Sequence, residues 1–524
     1  MSRYTGWIVF AALLVVLPIH GRTGGGVVSI PGPSVALADT SDDVVDAAVL
    51  LLTQSTQVDR RGTHNLLLKA IRHLSDPAAK PLFEYLADAT HPGLKIHGIL
   101  GLAEVGDDRR VDLSRIAQIQ DPLVQSTIIT AAMDAQLLDH DQAKQMLTWD
   151  GLAEEVKVLV AIRLIEAGEF DDTAVLHNAL TGAKKLGGTA LAAMLLVQLD
   201  DPAGLEHLRG VVDSSEDPQR DTVRGMLLQT ALKHEFNRIA PWALEIAKNP
   251  DTDPVLALLA MRTALRFGQP GAVDLWQTHY AMAVDSPAGR IRLALTALYL
   301  APWMDAGLFE MIRQDTDPML AAIGEAGAQI ATGSDGAGDA AAALLEFGHP
   351  MINAWALTYA ADHASDFDAQ IILLGLVLAY EHSPQRGKAR RLDEAVRAAE
   401  ALYERSPDAA VTLLRPMLAD SATDKLVVQA ILLGLIRSRE VGAYDVVAGI
   451  DAQLNSLDAQ GLALLLRART DKPMDEKQMR DLSMYARGGG RLEDSLRIQA
   501  AWLYLKRIGR ADEALGRVLG NTTP

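Results

Sequence analysis

The chain has 524 residues, which exceeds the roughly 250–300 residues at which a single hydrophobic core stops growing, so we expect several domains or an array of repeats. Its formal net charge of −18 makes nucleic acid an improbable partner, because an acidic surface repels phosphate groups. The absence of cysteine excludes disulfides, cysteine-bound zinc and thiol nucleophiles. Aromatic residues make up only 5% of the chain and aliphatic ones dominate the apolar 49%, which favours helices over β-sandwiches.

The N-terminus has the pattern of a signal peptide. Arg3 precedes an apolar run at residues 7–19, and Ala36-Leu37-Ala38 stands before Asp39. We therefore predict that residues 1–38 direct export and are cleaved after Ala38, and that the mature protein is periplasmic or secreted by a bacterium. The alternative is an uncleaved anchor, but as a helix this run spans only about 20 Å of the roughly 30 Å hydrocarbon core. The later apolar runs are about half the length that a bilayer requires, so we predict no transmembrane segment after cleavage.

Helix-starting prolines recur along the chain at a regular distance. They occur in His91-Pro92, Asp121-Pro122, Asp217-Pro218, Asp253-Pro254, Ser286-Pro287, Asp317-Pro318 and His349-Pro350. Successive prolines are about 30–36 residues apart, except for the interval from Pro122 to Pro218, which fits three such units. Proline suits the first position of a helix, where its missing N–H has no partner to lose. A period in this range is typical of stacked helical hairpins.

The segments between these prolines show apolar residues at helical spacing and short Gly or Asp turns. Ile291, Leu295 and Leu298, for example, follow the spacing i, i+4, i+7. The unit at residues 91–121 resembles a bacterial HEAT-type repeat in its proline opening, its small-and-leucine first helix, its Gly-Asp turn and its Asp-Pro join. This resemblance covers roughly residues 60–384. It implies an all-α fold, an α-solenoid of stacked antiparallel hairpins whose superhelix presents one concave face to partners.

The sequence pattern changes in the C-terminal part, and we predict a domain boundary in the linker after residue 384. Residues 501–515 resemble a tetratricopeptide unit, with Trp502 and Tyr504 before Gly509 and then Glu513-Ala514-Leu515. The sequence ILLGL occurs at 372–376 and again at 431–435, a spacing that also fits a continuing solenoid. The predicted organisation is a signal peptide at 1–38, a HEAT-like α-solenoid at 39–384 and a helical-repeat region at 385–524, TPR-like or continuing the solenoid.

Motifs for catalysis or cofactor binding are missing from the sequence. The histidines form no H-E-x-x-H pair, and the glycine cluster at residues 333–338 lacks the Gly-Lys-Ser/Thr of a phosphate loop. Helix capping explains the acidic pairs Asp42-Asp43, Asp171-Asp172 and Asp200-Asp201, and a solvated turn explains Asp139-His140-Asp141. The dispersed tryptophans are expected to pack between helices. We therefore predict no catalytic residue, no metal site and no cofactor.

The densest basic cluster comprises Arg386, Lys388, Arg390 and Arg391, which are possible partner-binding residues. A helical-repeat array offers a large surface with modest local chemistry, which favours contact with another protein. We predict a non-enzymatic binding or scaffolding protein of the bacterial cell envelope. The alternative is an α/α-toroid hydrolase or lyase acting on an envelope polymer, whose first and last hairpins must meet around a pocket of aromatic and carboxylate side chains. A third possibility is a peripheral membrane factor that retains its N-terminus.

Overall fold

The computed structural model describes residues 41–59, 62–170, 172–183, 186–379, 388–454, 456–489 and 492–521. The regular elements in these ranges are all helices and none is a strand, which confirms the predicted all-α class. The predicted signal peptide at 1–38 and the predicted boundary after residue 384 lie outside the described residues, and they stay predictions.

The described chain divides into two compact units. We call residues 108–466 the large unit, and residues 41–107 together with 467–521 the terminal unit. The terminal unit therefore combines segments from both ends of the chain. Its N-terminal helices are α1 (Ser41–Thr56), α2 (Thr63–Arg72), α3 (Lys80–Ala87) and α4 (Pro92–Val105).

The large unit begins with α5 (Leu113–Ala117), α6 (Pro122–Asp134), α7 (His140–Leu147), α8 (Glu154–Glu166), α9 (Thr173–Gly182), α10 (Leu186–Gln198), α11 (Pro202–His207), α12 (Arg220–His234) and α13 (Ala240–Lys248). It continues with α14 (Pro254–Arg266), α15 (Ala272–Met282), α16 (Pro287–Leu298), α17 (Gly307–Arg313), α18 (Pro318–Thr332), α19 (Ala337–Ala343), α20 (Pro350–Asp362), α21 (Asp366–Ala379), α22 (Lys388–Arg405), α23 (Pro407–Ala419), α24 (Lys425–Arg437) and α25 (Leu457–Arg469), whose last residues belong to the terminal unit. The C-terminal helices of the terminal unit are α26 (Glu476–Ala486), α27 (Asp494–Arg507) and α28 (Ala511–Asn521).

Most of the predicted helix starts are confirmed. Helices begin at six of the seven prolines, and the aspartate before the proline caps the helix in several of them. The carboxylate of Asp121 accepts a hydrogen bond from the Leu123 N–H at 2.9 Å, and Asp317 accepts one from Met319 at 2.8 Å. The predicted start at Pro218 is wrong, because α12 begins at Arg220. There Asp217 accepts hydrogen bonds from Gln219 and Arg220 that form a separate turn before the helix.

The repeat period appears in the positions where the longer helices end. In the large unit, α6, α8 and α10 end at Asp134, Glu166 and Gln198, at equal intervals of about 32 residues. The same interval separates the ends of α12, α14 and α16, at His234, Arg266 and Leu298. Each of these helices is the first of a hairpin, and a shorter helix follows it. The first helices of successive hairpins therefore present equivalent C-terminal ends.

The tryptophans confirm the packing prediction with one clear exception. Trp242, Trp276 and Trp355 are fully buried in the large unit, and Trp502 is fully buried in the terminal unit. Trp303 is 39% exposed, so the prediction that it packs between helices is wrong. It is the last residue of the 3₁₀ turn Ala301–Trp303, which follows α16, so it lies outside the α-helices.

A buried carboxylate joins the two ends of the chain in the terminal unit. Asp76 is 6% exposed, and its Oδ1 caps the 3₁₀ turn after α2 by accepting a hydrogen bond from the Ala78 N–H. Its Oδ2 accepts a hydrogen bond from Trp502 Nε1 at 3.0 Å and lies 3.1 Å from Lys506 Nζ. Gln499 Nε2 donates to the Ala70 carbonyl at 3.1 Å. Helix α27 thereby holds the segment that follows α2.

Ion pairs extend this contact to the surface of the terminal unit. Arg510 lies 2.7 Å from Asp42 and Arg517 lies 2.6 Å from Asp46, so α1 is paired with α28 and the residue before it. Arg487 lies 3.4 Å from Asp43. Capping was the predicted role of Asp42-Asp43, but the structure adds partners from the opposite end of the chain. The first described helices are therefore covered by the last ones.

Glycine permits the close approach of helices α17 and α18 in the large unit. A Cβ atom on Gly324 would lie 2.2 Å from the backbone nitrogen of Arg313, and no side-chain rotation relieves such a contact. By contrast, a Cβ on Gly225 in α12 would meet only Leu256 Cδ1 at 3.9 Å, an ordinary van der Waals distance.

We therefore predict opposite effects for two glycine-to-alanine substitutions in helices. Gly324→Ala should lower the free energy of unfolding by about 1–3 kcal/mol through overpacking. Gly225→Ala should raise it by up to about 1 kcal/mol because alanine is the better helix former. Urea unfolding followed by circular dichroism measures both. Equal unfolding midpoints for the two variants would contradict the close packing of α17 and α18.

A second prediction concerns Asp76. Asp76→Ala leaves the buried indole N–H of Trp502 without an acceptor and removes the partner of Lys506, so we expect a loss of about 2–4 kcal/mol in the stability of the terminal unit. The control is Asp46→Ala, which breaks an ion pair between half-exposed side chains and should cost less than about 1 kcal/mol. Hydrogen exchange of α1 and α27 provides the measurement. Equal protection in the two variants would show that Asp76 does not join the chain ends.

Candidate functional site

The predicted partner-binding residues Arg386, Lys388, Arg390 and Arg391 lie outside the part of the chain whose side chains the structure describes. That prediction therefore stays a prediction. A different group of side chains comes together in the large unit, at the C-terminal ends of the first helices of several hairpins.

One half of this group forms around the last turn of α12. Lys233 Nζ lies 3.5 Å from Asp134 Oδ1 at the end of α6, and the His234 ring pairs with Glu166 at the end of α8. Both contacts join hairpins that are not consecutive in the sequence. The hairpin of α10 lies between the partners in each contact, and the hairpin of α8 also lies between Lys233 and Asp134. Basic side chains suit this position because the C-terminal end of a helix carries partial negative charge. Three separate hairpins thus contribute to one polar surface.

The other half extends the surface through aromatic and cationic side chains. Glu235, with left-handed backbone (φ 56°) directly after α12, pairs with Arg266 Nη2 at 2.7 Å. The Arg266 guanidinium carbon lies 3.8 Å from the centre of the Trp303 ring, and the His363 ring centre lies 4.5 Å from that of Trp303. His363 follows α20, so this contact passes over the hairpin of α18.

We call these eight residues the convergent cluster, because they lie at or just after the ends of six first helices. They are Asp134, Glu166, Lys233, His234, Glu235, Arg266, Trp303 and His363. The cluster contains three acids, one lysine, one arginine, two histidines and one indole.

Two carboxyl groups of the cluster have pKa values shifted in opposite directions. Burial raises the pKa of Asp134, and the positive charge of Lys233 opposes this only in part. Burial would also raise the pKa of Glu166, but the hydrogen bond and charge of His234 outweigh it and the pKa is lowered. Burial, assisted by Arg266, lowers the pKa of His363. Burial and neighbouring charges thus shift the pKa values of three groups in this cluster.

Two open cavities adjoin the cluster. The first has about 500 Å³ and includes Arg266 and Trp303 in its wall, with Pro270, Val273 and Met304 supplying apolar surface. The second has about 560 Å³ and is polar, and Arg163, which pairs with Glu166 at 3.7 Å, belongs to its lining.

The second cavity also contains the Asp139-His140-Asp141 segment, for which a solvated turn was predicted. Asp139 instead caps α7 in a capping box with Gln142, and His140 is the first residue of that helix. The His140 ring lies 3.3 Å from Glu169, which also pairs with Lys144 at 2.9 Å. These polar groups thus already have partners within the protein.

Among the described residues, no group of three or more histidine, aspartate or glutamate side chains is arranged to hold a metal ion. In the same part of the chain, no helix has both the length and the apolar character to cross a bilayer. No known protein family, no curated protein and no solved structure matches the chain.

The convergent cluster was not found from the sequence. One available signal was the recurrence of charged residues at helix ends separated by about 32 residues, as at Asp134 and Glu166 and again at His234 and Arg266. A second was the proline next to Trp303, since Ala301-Pro302-Trp303 breaks the helical pattern. Neither signal predicts that the ends of non-consecutive hairpins are in contact.

The shifted pKa values predict opposite pH dependences for two substitutions in the cluster. Asp134 binds a proton more tightly in the folded state, so its contribution to stability is lost as pH rises through its raised pKa. Asp134→Asn should therefore gain stability relative to the parent protein as pH rises above 3.8, the usual aspartate value. The Glu166 carboxylate stabilises above about pH 4.5, so Glu166→Gln should be less stable at pH 7 and approach the parent protein as pH falls. Thermal unfolding across this range tests both, and parallel curves for the two variants would contradict the assignment.

Proposed function

We propose that the protein is a non-enzymatic binding or scaffolding protein of the bacterial cell envelope, an α-solenoid of HEAT-like hairpins with a C-terminal part that is TPR-like or continues the solenoid. Its partner is another protein, which it binds at the convergent cluster. The observation that best supports this proposal is that the ends of six first helices converge and place an arginine against a partly exposed indole.

The composition of this surface supports a protein partner. Tryptophan and arginine are enriched among the residues that dominate binding energy at protein interfaces. Trp303 is 39% exposed, and the side chain of Glu235 is 70% exposed. The apolar wall of the adjoining cavity offers a place for a partner's side chain next to these polar groups.

The proposed location is supported by the sequence of the N-terminus. A charged start, a short apolar run and Ala36-Leu37-Ala38 are the components of a cleavable signal. The proposed mature protein begins at Asp39, two residues before α1. It is periplasmic or secreted.

The second candidate is an α/α-toroid hydrolase or lyase that acts on an envelope polymer. One observation that favours it is the contact between the first and last described helices within the terminal unit, which a toroid also requires. Another is the opposite pKa shift of Asp134 and Glu166, a pattern that pairs of acid and base groups show in enzymes. Against it, neither of the two cavities combines a tryptophan, tyrosine or phenylalanine ring with a pair of carboxylates.

A photo-crosslinking experiment tests the binding proposal. A photoreactive amino acid replaces Val273, which is 39% exposed and lines the cavity beside Trp303. The matched control replaces Val211, which is 44% exposed and outside the cluster. We expect a discrete protein adduct in envelope preparations from position 273, absent at position 211 and lost on Arg266→Ala.

The enzyme candidate predicts an activity that can be measured with the purified protein. It requires the purified protein to depolymerise an envelope polysaccharide, with activity reduced at least about 100-fold by Asp134→Asn and by Glu166→Gln. The binding proposal expects no such activity in the parent protein or in either variant. Depolymerisation without an adduct would contradict the binding proposal and support the enzyme candidate.

A further inference from the structure

Two arginines of α14 are stacked on aromatic rings of the following hairpin. The Arg262 guanidinium carbon lies 4.5 Å from the centre of the Tyr299 ring, and that of Arg266 lies 3.8 Å from the centre of the Trp303 ring. The two arginines are four residues apart, so they lie on the same face of α14, about 6 Å apart along its axis. Stacking fixes the plane of a guanidinium and leaves its N–H edge available for hydrogen bonds.

Most of the hydrogen-bond donors of these two arginines are unused. In the described part of the chain, Arg262 has neither a hydrogen bond nor an ion pair, and its Nε is buried without an acceptor. Arg266 uses only Nη2, toward Glu235. A guanidinium has five N–H donors, and leaving such donors buried and unpaired costs free energy.

A neighbouring arginine shows the same arrangement with a carboxylate in place, although its Nε is likewise buried without an acceptor. Arg290 lies 5.2 Å from the centre of the Tyr280 ring, and its guanidinium pairs with the fully buried carboxylate of Asp315. Tyr280 also donates a hydrogen bond to Asp315 at 2.8 Å. Within the large unit, the arrangement of a guanidinium over a ring is therefore seen both with and without its anion.

We propose that Arg262 and Arg266 bind two carboxylates of an acidic polypeptide segment of the protein partner, and that the cavity beside Trp303 takes an apolar side chain of the same segment. This inference rests on the proposed binding function and names the chemistry of the partner. Residues i and i+2 of an extended peptide lie about 6.6–6.8 Å apart on one face, which matches the distance between the two arginines along α14. A Glu-X-Glu pattern fits the pair.

A peptide fits the site better than an acidic polysaccharide. Arg266 covers one face of Trp303, and the His363 ring meets the indole at an angle of 79°, so at most one face of the indole is left for a sugar to stack on. Asp274 in the cavity wall and Glu235 beside Arg266 limit the number of carboxylates that the site tolerates. The net charge of −18 repels a long polyanion more than a short segment.

Binding of defined peptides to the full-length mature chain tests the inference. The probe is acetyl-Glu-Leu-Glu-Leu-Glu-amide, and its neutral counterpart has Gln in place of each Glu. Calorimetric titration at fixed ionic strength should show affinity for the Glu peptide and at least about tenfold weaker binding of the Gln peptide. Arg262→Gln and Arg266→Gln should each weaken binding of the Glu peptide at least about tenfold.

Two further variants separate a stacked-arginine site from general positive charge. Arg262→Lys keeps the charge but loses the planar donor edge, so it should also weaken binding. Arg313→Gln removes a half-exposed arginine that pairs with Glu310 at 2.7 Å, and it should leave the affinity unchanged. Arg262→Gln removes an unpaired cation, so its thermal midpoint should stay within about 2 °C of the parent protein, which a purely structural role for Arg262 would not allow.

Several outcomes would overturn the inference. They are the absence of binding of the Glu peptide, equal affinity in Arg262→Lys, an equal loss in Arg313→Gln, or binding of trigalacturonate as tight as that of the peptide. The proposed function is judged separately by the adduct at position 273. An adduct that persists in Arg262→Gln, together with no affinity for the Glu peptide, would leave protein binding standing and remove only this account of its chemistry.

Discussion

The terminal unit depends on the contacts that the Asp76 carboxylate makes with the opposite end of the chain. A carboxylate that is 6% exposed is tolerated only when it is hydrogen-bonded and paired, and Trp502 and Lys506 from the last part of the sequence provide this pairing. Because α1 and α2 are packed against α27, the unit is incomplete until nearly the whole chain has been made. Contacts of such sequence separation form late, since the loop between them must first be closed.

Arginines at the ends of first helices stabilise neighbouring hairpins elsewhere in both units. Arg405, the last residue of α22, donates to the carbonyls of Ala360, Ala361 and Ala364 around the end of α20. Arg507, the last residue of α27, donates in the same way to Ala468, Thr470 and Lys472. Ala360, Ala361 and Ala468 belong to the last turns of their helices, where carbonyls lack helical partners and carry the negative end of the helix dipole. Arg266 occupies the same position in α14, but it lies over an accessible indole instead, which sets the convergent cluster apart from the structural capping sites.

The sequence predicts the local structure well and the long-range contacts poorly. Helix-starting prolines and capping aspartates act on neighbouring residues, and the repeat period can be counted along the sequence. These features therefore predict the helix starts and the all-α class. The meeting of Lys233 with Asp134 and of Trp303 with His363 depends on the angle at which successive hairpins pack, and no local pattern encodes that angle. Asp42 and Asp43 look like capping residues for the same reason, because their arginine partners stand at the other end of the sequence.

The pairing of charges within the convergent cluster agrees with the proposed role in recognition. A catalytic acid or base must be free to exchange its proton with a substrate, and its partners are preorganised around the reacting atoms. Here Asp134 faces Lys233, Glu166 faces His234 and Glu235 faces Arg266, so each acid already has a basic partner from another helix or a neighbouring turn. The groups left without a counterpart are the donor edge of Arg262, the remaining donors of Arg266 and the exposed part of Trp303. Hydrogen-bond donors beside an exposed ring can hold an acidic side chain in a fixed orientation, and this requires no proton transfer.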